Sequence, residues 1–223
     1  IYSELALSLI ELHELENAND YIQSSITMDP NNSRAWVVKG VYFAELKEYD
    51  KAIEYYNKAI KVEPNNAFAW INKGDTYSKQ GDLGKAIDCY DKAIEIDPND
   101  SVAWDSKGIA FADRGDLTDA IDCYKRAIEI DPANSVVWNN QGIAYAEKGD
   151  FDQAIVCYNK AIEINPVNSM VWNNQGNVYS KQGNLNEAIA CYKKAIEVDP
   201  ANSIAWNNQG IAYAEKGDFD QAI

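Results

Sequence analysis

Tryptophan recurs at a fixed interval along the chain, and this interval constrains the fold more than any other feature. All six tryptophans stand 34 residues apart, at Trp36, Trp70, Trp104, Trp138, Trp172 and Trp206. A period of about 20–50 residues is typical of repeat proteins, in which each repeat packs only against its neighbours. The 223 residues are therefore expected to form a linear array rather than one globular core.

Other positions keep the same register. When each repeat is numbered so that tryptophan is at place four, place eight is glycine, place eleven is aromatic and place twenty is alanine in all six repeats. Complete repeats add an aromatic residue at place twenty-four, alanine at place twenty-seven and proline at place thirty-two. The predicted full repeats are residues 33–66, 67–100, 101–134, 135–168 and 169–202, with a degenerate repeat at 1–32 and a truncated one at 203–223.

Each repeat is predicted to be a pair of helices, because its apolar and small residues form two stripes at helical spacing. Glycine at place fifteen, as at Gly149, is expected to end the first helix in the left-handed conformation. His13 and Lys47 replace this glycine in the first two repeats, where we expect looser turns.

Polar residues are placed to cap both helices. Asp150, followed by Gln153, and Asn184, followed by Glu187, are expected to cap the second helix. The caps expected for the first helices are Asn134, Asn168 and Asn202.

The motif W-x3-G-x2-Y, the two alanines, the second aromatic residue and the proline at period 34 resemble the tetratricopeptide repeat over essentially the whole chain. The resemblance implies an all-α fold, a right-handed superhelical solenoid of antiparallel helix pairs whose first helices line a concave groove. It also implies a non-catalytic scaffold that binds protein or peptide segments and uses no cofactor.

The charge balance bears on the partners. With 35 acidic against 20 basic residues, the net charge of −15 repels phosphate backbones and anionic membrane surfaces, so neither nucleic acid nor a membrane is expected as a partner. No apolar run approaches the ~20 residues of a membrane helix, which predicts a soluble segment.

The four cysteines all stand at place twenty-three of their repeats. If neighbouring helices are ~8–10 Å apart, these cysteines are too far from one another to form disulfides. The thiols are therefore expected to be unpaired, which indicates a reducing, cytoplasmic location for the protein. The four residues are Cys89, Cys123, Cys157 and Cys191.

No catalytic or metal site is predicted. His13 is the only histidine, and carboxylate pairs such as Asp150 and Asp152 recur with the repeat, which is typical of caps and solvated faces. No glycine-rich phosphate loop is present in the sequence. We therefore expect the chain not to be an enzyme.

Candidate binding residues follow from the resemblance, which assigns places two, five, six, nine, twelve and thirteen to the groove. Asparagine carries a donor and an acceptor that match a peptide unit, so the asparagines are expected to hold an extended backbone. Apolar residues at place two are expected to form shallow pockets, with Arg34 as the exception in that row, and the lysines at place thirteen are expected to form part of a charged rim. The candidate residues are Asn72, Asn139, Asn140, Asn173, Asn174, Asn177, Asn207, Asn208, Phe68, Val136, Met170, Arg34, Lys79 and Lys181.

Three alternatives stay open. The asparagines at place six are similar to the ladder in the superhelix of O-GlcNAc transferase, so the chain could be the substrate-recruiting arm of a larger glycosyltransferase-like enzyme. They could instead belong to the average repeat of the family. Neither end has a polar capping face, so copies could bind each other head to tail as a structural scaffold.

Residues 138–155 and 206–223 are identical in sequence. This identity indicates that the chain is a segment of a longer array that grew by duplication.

Overall fold

The computed structural model describes residues 2–221, apart from the side chain of Glu11, and within this range helices joined by short turns form the chain. Residues 1, 222 and 223, which the predicted terminal repeats include, lie outside the described part. The thirteen helices between residues 2 and 221 are α1 (Tyr2–Glu11), α2 (Leu15–Met28), α3 (Ser33–Glu45), α4 (Tyr49–Val62), α5 (Ala67–Lys79), α6 (Leu83–Ile96), α7 (Ser101–Arg114), α8 (Leu117–Ile130), α9 (Ser135–Lys148), α10 (Phe151–Ile164), α11 (Ser169–Lys181), α12 (Leu185–Val198) and α13 (Ser203–Lys216).

The chain divides into two compact units between Arg114 and Gly115. In the first unit, α1 pairs with α2, α3 with α4 and α5 with α6, and α7 packs on α6. In the second unit, α9 pairs with α10 and α11 with α12, while α8 packs on α9 and α13 on α12. The predicted all-α array of helix pairs is confirmed within each unit.

A glycine and a tyrosine meet inside four of the helix pairs. A Cβ atom added to Gly142 of α9 would lie 2.6 Å from a ring carbon of Tyr158 in α10. The same contact at 2.4–2.6 Å recurs for Gly40 with Tyr56, Gly74 with Tyr90 and Gly176 with Tyr192. The tyrosine ring therefore occupies the space that any other residue at place eight would need, and these four rings are at least 98% buried.

Alanines let the helices approach closely around these rings. In the first unit, Ala52, Ala59 and Ala69 are fully buried beside Tyr56. In the second unit, Ala154 and Ala161 are fully buried beside Tyr158. Alternation of small and large side chains fills the interior at the close packing usual for proteins, so the volume at each of these places is fixed.

The turns between paired helices share one geometry. Gly149 ends α9 with φ of 84°, and the N–H of the next residue, Asp150, donates to the carbonyl of Tyr145 at 2.9 Å. Lys47 has φ of 59°, and the N–H of Glu48 donates to the carbonyl of Phe43 at the same distance. His13 also has φ of 59°. The expectation of looser turns at His13 and Lys47 is wrong, because these residues adopt the glycine conformation and close the same hydrogen bond.

Most predicted caps are confirmed. The Asp150 carboxylate accepts from the N–H of Gln153 at 3.3 Å. Asn134, Asn168 and Asn202 likewise accept from N–H groups at the start of α9, α11 and α13. Asn184 is the exception, because its side chain makes no cap bond and instead donates to the side-chain oxygen of Gln182 at 3.4 Å.

The tryptophan and proline that define the period are hydrogen-bonded to each other. In all six cases the indole N–H donates to the carbonyl of the proline six residues earlier, at 2.8–3.3 Å. This bond fixes the entry of the chain into each first helix. It also gives tryptophan a polar role that apolar periodicity alone does not predict.

Replacing Gly142 with alanine should destabilise the second unit by about 1–3 kcal/mol, because the new methyl group overlaps the Tyr158 ring. The matched control is Gly84→Ala in α6, where the nearest atom to an added Cβ is 3.9 Å away. That change should instead stabilise by up to about 1 kcal/mol through helix propensity. Urea unfolding followed by circular dichroism measures both. Equal stabilisation by the two changes would contradict the packing contact.

Replacing Lys47 with glycine should stabilise the first unit by about 0.5–1 kcal/mol, because a non-glycine residue at positive φ costs about 1–2 kcal/mol, offset in part by the greater freedom of unfolded glycine. The reverse change, Gly81→Lys, places lysine at φ of 81° one repeat later and should destabilise by a similar amount. Thermal unfolding of the two variants checks the opposite signs. Two shifts of the same sign would exclude backbone strain as the cause.

Candidate functional site

The apolar candidates at place two lie exposed on the first turn of their helices. In the first unit Phe68 is 49% exposed, and Val102 at the equivalent place in α7 is 56% exposed. In the second unit Val136, Met170 and Ile204 are 54%, 64% and 64% exposed. We call these last three side chains the place-two row, since α9, α11 and α13 each contribute one.

The basic candidates pair with neighbouring carboxylates or project into solvent. Arg34 lies 3.6 Å from Glu4, and Lys79 lies 3.9 Å from Glu45, with all four side chains more than a third exposed. Exposed pairs of this kind contribute at most about 1 kcal/mol, so the cations stay accessible to other anions. Lys181 is exposed at the end of α11.

The first unit has few asparagine side chains that a ligand could contact. Val37 and Val38, at places five and six of α3, are fully buried. Asn72, at place six of α5, donates from Nδ2 to the carbonyl of Phe68 in its own helix at 2.8 Å. Its amide is therefore turned partly onto its own backbone.

In the second unit, asparagines of successive first helices are hydrogen-bonded to one another. Nδ2 of Asn174 in α11 donates to Oδ1 of Asn139 in α9 at 3.1 Å. One repeat later, Nδ2 of Asn208 in α13 donates to Oδ1 of Asn173 in α11 at 3.0 Å. The rule is the same in both cases: an asparagine at place six donates to the asparagine at place five of the preceding repeat. We call these four residues, with Asn177, the asparagine network.

Asn177 adds a third link to this network. Its Oδ1 accepts from Nδ2 of Asn208 at 3.1 Å and from the hydroxyl of Tyr192 at 2.9 Å. Burial is the main cause that raises the pKa of Tyr192 to about 12, so the hydroxyl stays protonated and donates at neutral pH. The network is thereby anchored to the tyrosine that packs on Gly176.

Exposure separates the asparagines into two groups. Asn139 and Asn173 are each only 8% exposed, so they lie beneath the surface. Asn140, Asn174, Asn177 and Asn208 are half-buried, and Asn207 is exposed. The place-five residues of α9 and α11 therefore support the surface that the place-six residues form.

Sequence reasoning missed the hydrogen bonds between repeats, although the doubled Asn-Asn in successive repeats was visible. It also missed a buried pair on the other side of the first helices. Oε1 of Gln141 accepts from Sγ of Cys157 at 3.2 Å, and Oε1 of Gln175 accepts from Sγ of Cys191 at 3.5 Å. Glutamine at place seven therefore pairs with cysteine at place twenty-three, whereas the first unit has lysine at place seven.

Other site types have little support in the described part of the chain. Between residues 2 and 221, histidine, cysteine, aspartate and glutamate form no group of three that could hold a metal ion. In the same range, all helices are too short or too polar to cross a bilayer.

Comparison with known proteins defines the class. The tetratricopeptide repeat family matches residues 33–66, 67–100 and 135–168 in one form, 108–149 and 176–217 in a second, and 89–122 and 157–190 in a third. No curated protein matches the chain.

Solved structures share the fold. YrrB, described as a TPR protein with an unusual peptide-binding site, is 19% identical with a TM-score of 0.67, over 87% of this chain and 97% of YrrB. MamA is 29% identical with a TM-score of 0.68, over 74% and 96%. PilF of Pseudomonas aeruginosa is 16% identical with a TM-score of 0.79, over 96% of each chain.

Helix pairs at period 34, four of them closed by a glycine–tyrosine contact, define an all-α repeat protein. The chain belongs to the tetratricopeptide repeat family, since the matches together span residues 33–217. The repeat of this family is generally a non-catalytic module that binds proteins.

The buried cysteines should resist alkylation in the folded chain. Burial is the main cause that raises the pKa of Cys89 and Cys191 from 9.0 to about 11 and that of Cys157 to about 12. At about pH 8 the thiolate fraction is therefore about 100-fold lower or more than at an ordinary cysteine. Mass spectrometry after iodoacetamide treatment should show slow labelling until urea unfolds the chain. Val156→Cys, at a neighbouring 52% exposed position, is the control that should label at once. Equally fast labelling of native and unfolded cysteines would contradict the burial.

Proposed function

We propose that the second unit binds an extended peptide segment along α9, α11 and α13 and that the chain is a scaffold without catalytic activity. One observation carries the proposal: exposed apolar side chains and half-buried asparagine amides occur together on three successive first helices. Places two, six and nine are separated by four and three residues, so their side chains share one face of each helix.

The place-two row is suited to anchor apolar side chains of a peptide. Val136, Met170 and Ile204 are each more than half exposed, although large apolar side chains are favoured inside proteins. Single exposed residues are common, but three at the same place of successive repeats form a row. Methionine adapts to irregular shapes, which suits a shallow apolar contact with more than one side chain.

The asparagine network is suited to the polar part of the peptide. A peptide backbone offers N–H and C=O groups at regular intervals, and asparagine amides can pair with either. Such bonds read the extended shape of a segment rather than its side chains, as in other complexes in which main-chain bonds give affinity and pockets give specificity. The bonds to Asn139 and Asn173 hold Asn174 and Asn208 in place before a ligand arrives, which lowers the entropy cost of binding.

The spacing of the repeats fits an extended chain. Neighbouring packed helices are ~8–10 Å apart, and an extended peptide advances ~3.3 Å per residue, so one repeat corresponds to about three peptide residues. Three first helices then cover a segment of about nine residues. This estimate sets the length of the peptides to be tested.

The proposal is specific to the second unit. In the first unit, places five and six of α3 are occupied by valines that are buried. The side-chain amide of Asn72 donates a hydrogen bond to a carbonyl of its own helix, α5. A peptide there would find fewer available amides.

The proposal is tested by selecting random peptides of about twelve residues, long enough for three repeats, on the native chain. Affinities of the enriched peptides are then measured by fluorescence anisotropy. The double variant Asn174→Ala with Asn208→Ala should weaken binding about tenfold or more, since each lost hydrogen bond contributes about 0.5–1.5 kcal/mol. Met170→Ser should also weaken binding through the lost apolar contact.

Asn72→Ala is the matched control, because it removes an asparagine at the same place of a repeat in the first unit and should leave affinity unchanged. Circular dichroism establishes that each variant is folded at the temperature of the assay. Peptides that bind native chain and double variant equally well would overturn the proposed site. Enrichment of no peptide at all would overturn peptide binding as the function.

A further inference from the structure

Asn208 has no hydrogen-bond donor left for a ligand. Its side-chain amide carries two hydrogens on Nδ2 and two lone pairs on Oδ1. One hydrogen is donated to Asn173 at 3.0 Å and the other to Asn177 at 3.1 Å, both in the preceding first helix, α11. With the nitrogen held against α11 by both bonds, Oδ1 is the atom of the amide that is left for a ligand, and it makes no hydrogen bond within residues 2–221.

We infer that Asn208 offers a bound peptide only its carbonyl oxygen, so that this position selects a segment with a free backbone N–H and rejects proline or any N-substituted residue there. The inference deepens the peptide-binding function proposed above and rests on it. It makes Asn208 a specificity-determining residue and makes Asn173 and Asn177 positioning residues that act through it.

The orientation of Asn177 supports this assignment. Tyr192 donates its hydroxyl hydrogen to the side chain at place nine, so the atom of Asn177 that faces the tyrosine is its oxygen. The same oxygen is the acceptor for Asn208, which fixes the Asn208 nitrogen on the side of α11. If Asn208 were turned over, its oxygen would face the oxygens of two other amides.

The first unit contains an independent example of the same arrangement. Asp75 stands at place nine of α5, and its Oδ1 accepts from the hydroxyl of Tyr90 at 2.8 Å. A carboxylate has no hydrogen to donate, so place nine supplies an acceptor to the tyrosine at place twenty-four in this pair. Asn177 and Tyr192 repeat the pattern with an amide.

The two place-six asparagines of the network consequently differ. Asn174 donates one hydrogen, to Asn139, and keeps the second together with its oxygen. It can pair with an N–H or a C=O of the peptide, whereas Asn208 can pair only with an N–H.

The first test needs no peptide. In the folded chain labelled with nitrogen-15, both side-chain amide protons of Asn208 should exchange slowly with water, assigned by the loss of their signals in Asn208→Ala. Asn173→Ala should speed the exchange of one proton, whereas Asn72→Ala should not affect either. Two protons that exchange as fast as those of the exposed Asn207 would overturn the assigned orientation.

The second test uses the tightest peptide obtained from the selection described above, synthesised with a single N-methyl group at each backbone nitrogen in turn. At one position, methylation should weaken binding to the native chain about tenfold or more, which corresponds to the loss of about one hydrogen bond. The same methylated peptide should bind the Asn208→Ala variant at most about twofold more weakly than the unmethylated peptide does. A structural role alone would not produce this position-specific coupling. Equal losses in both proteins at every position would overturn the inference while leaving peptide binding intact.

The positioning role is tested by a conservative replacement. Asn177→Asp keeps an acceptor for both Tyr192 and Asn208, as Asp75 does for Tyr90, and should preserve the N-methyl pattern. Asn177→Ala removes the acceptor and should abolish the pattern. Loss of the pattern in both variants, with the fold intact, would exclude Asn177 as a positioning residue. If no peptide is enriched, the proposed function and the subsite fail together, and the exchange measurement still decides the orientation of the amide.

Discussion

The contact between glycine at place eight and tyrosine at place twenty-four sets the separation of the two helices in a pair. With ring carbons 2.4–2.6 Å from where a Cβ would stand, the backbone of the first helix lies directly on the tyrosine ring. The alanines around each ring follow from the same requirement, because a larger side chain would push the helices apart. Each first helix is thereby held against its own second helix, which fixes the frame from which the first helix presents its other side chains.

The polar surface of the second unit is built on that frame. Tyr192 packs on Gly176 through its ring and holds Asn177 through its hydroxyl, so one side chain joins the apolar interior to the asparagine network. Asn208 donates to Asn173 and Asn177 of the preceding repeat, so its orientation depends on how closely α11 and α13 approach. Buried polar groups that are fully hydrogen-bonded specify one arrangement, whereas partly satisfied groups are costly.

Much of the fold was predictable from the sequence because the same physical requirement recurs at the same place of each repeat. The six tryptophans at one interval, together with glycine at place eight, predict an array of helix pairs. The errors concern one side chain with a second possible partner and one backbone conformation that residues other than glycine rarely adopt. Asn184 was expected to cap α12, but Gln182 lies within reach of its side chain. Lys47 was expected to loosen its turn, but the bond from Glu48 to Phe43 holds it in the left-handed conformation.

The candidate site was less predictable, since side-chain type does not tell which atom of an amide is already used. The sequence placed Asn139 and Asn174 in one set of binding residues, and the fold buries the first beneath the second. In α3, places five and six are occupied by Val37 and Val38, which are buried in apolar contacts that have no preferred direction, unlike hydrogen bonds. The repeats with valine and the repeats with asparagine at these places both form the helix pair, and the asparagines add directional bonds between repeats. The same helix pair therefore accommodates two kinds of residue at places five and six, and these places decide which polar groups a repeat presents.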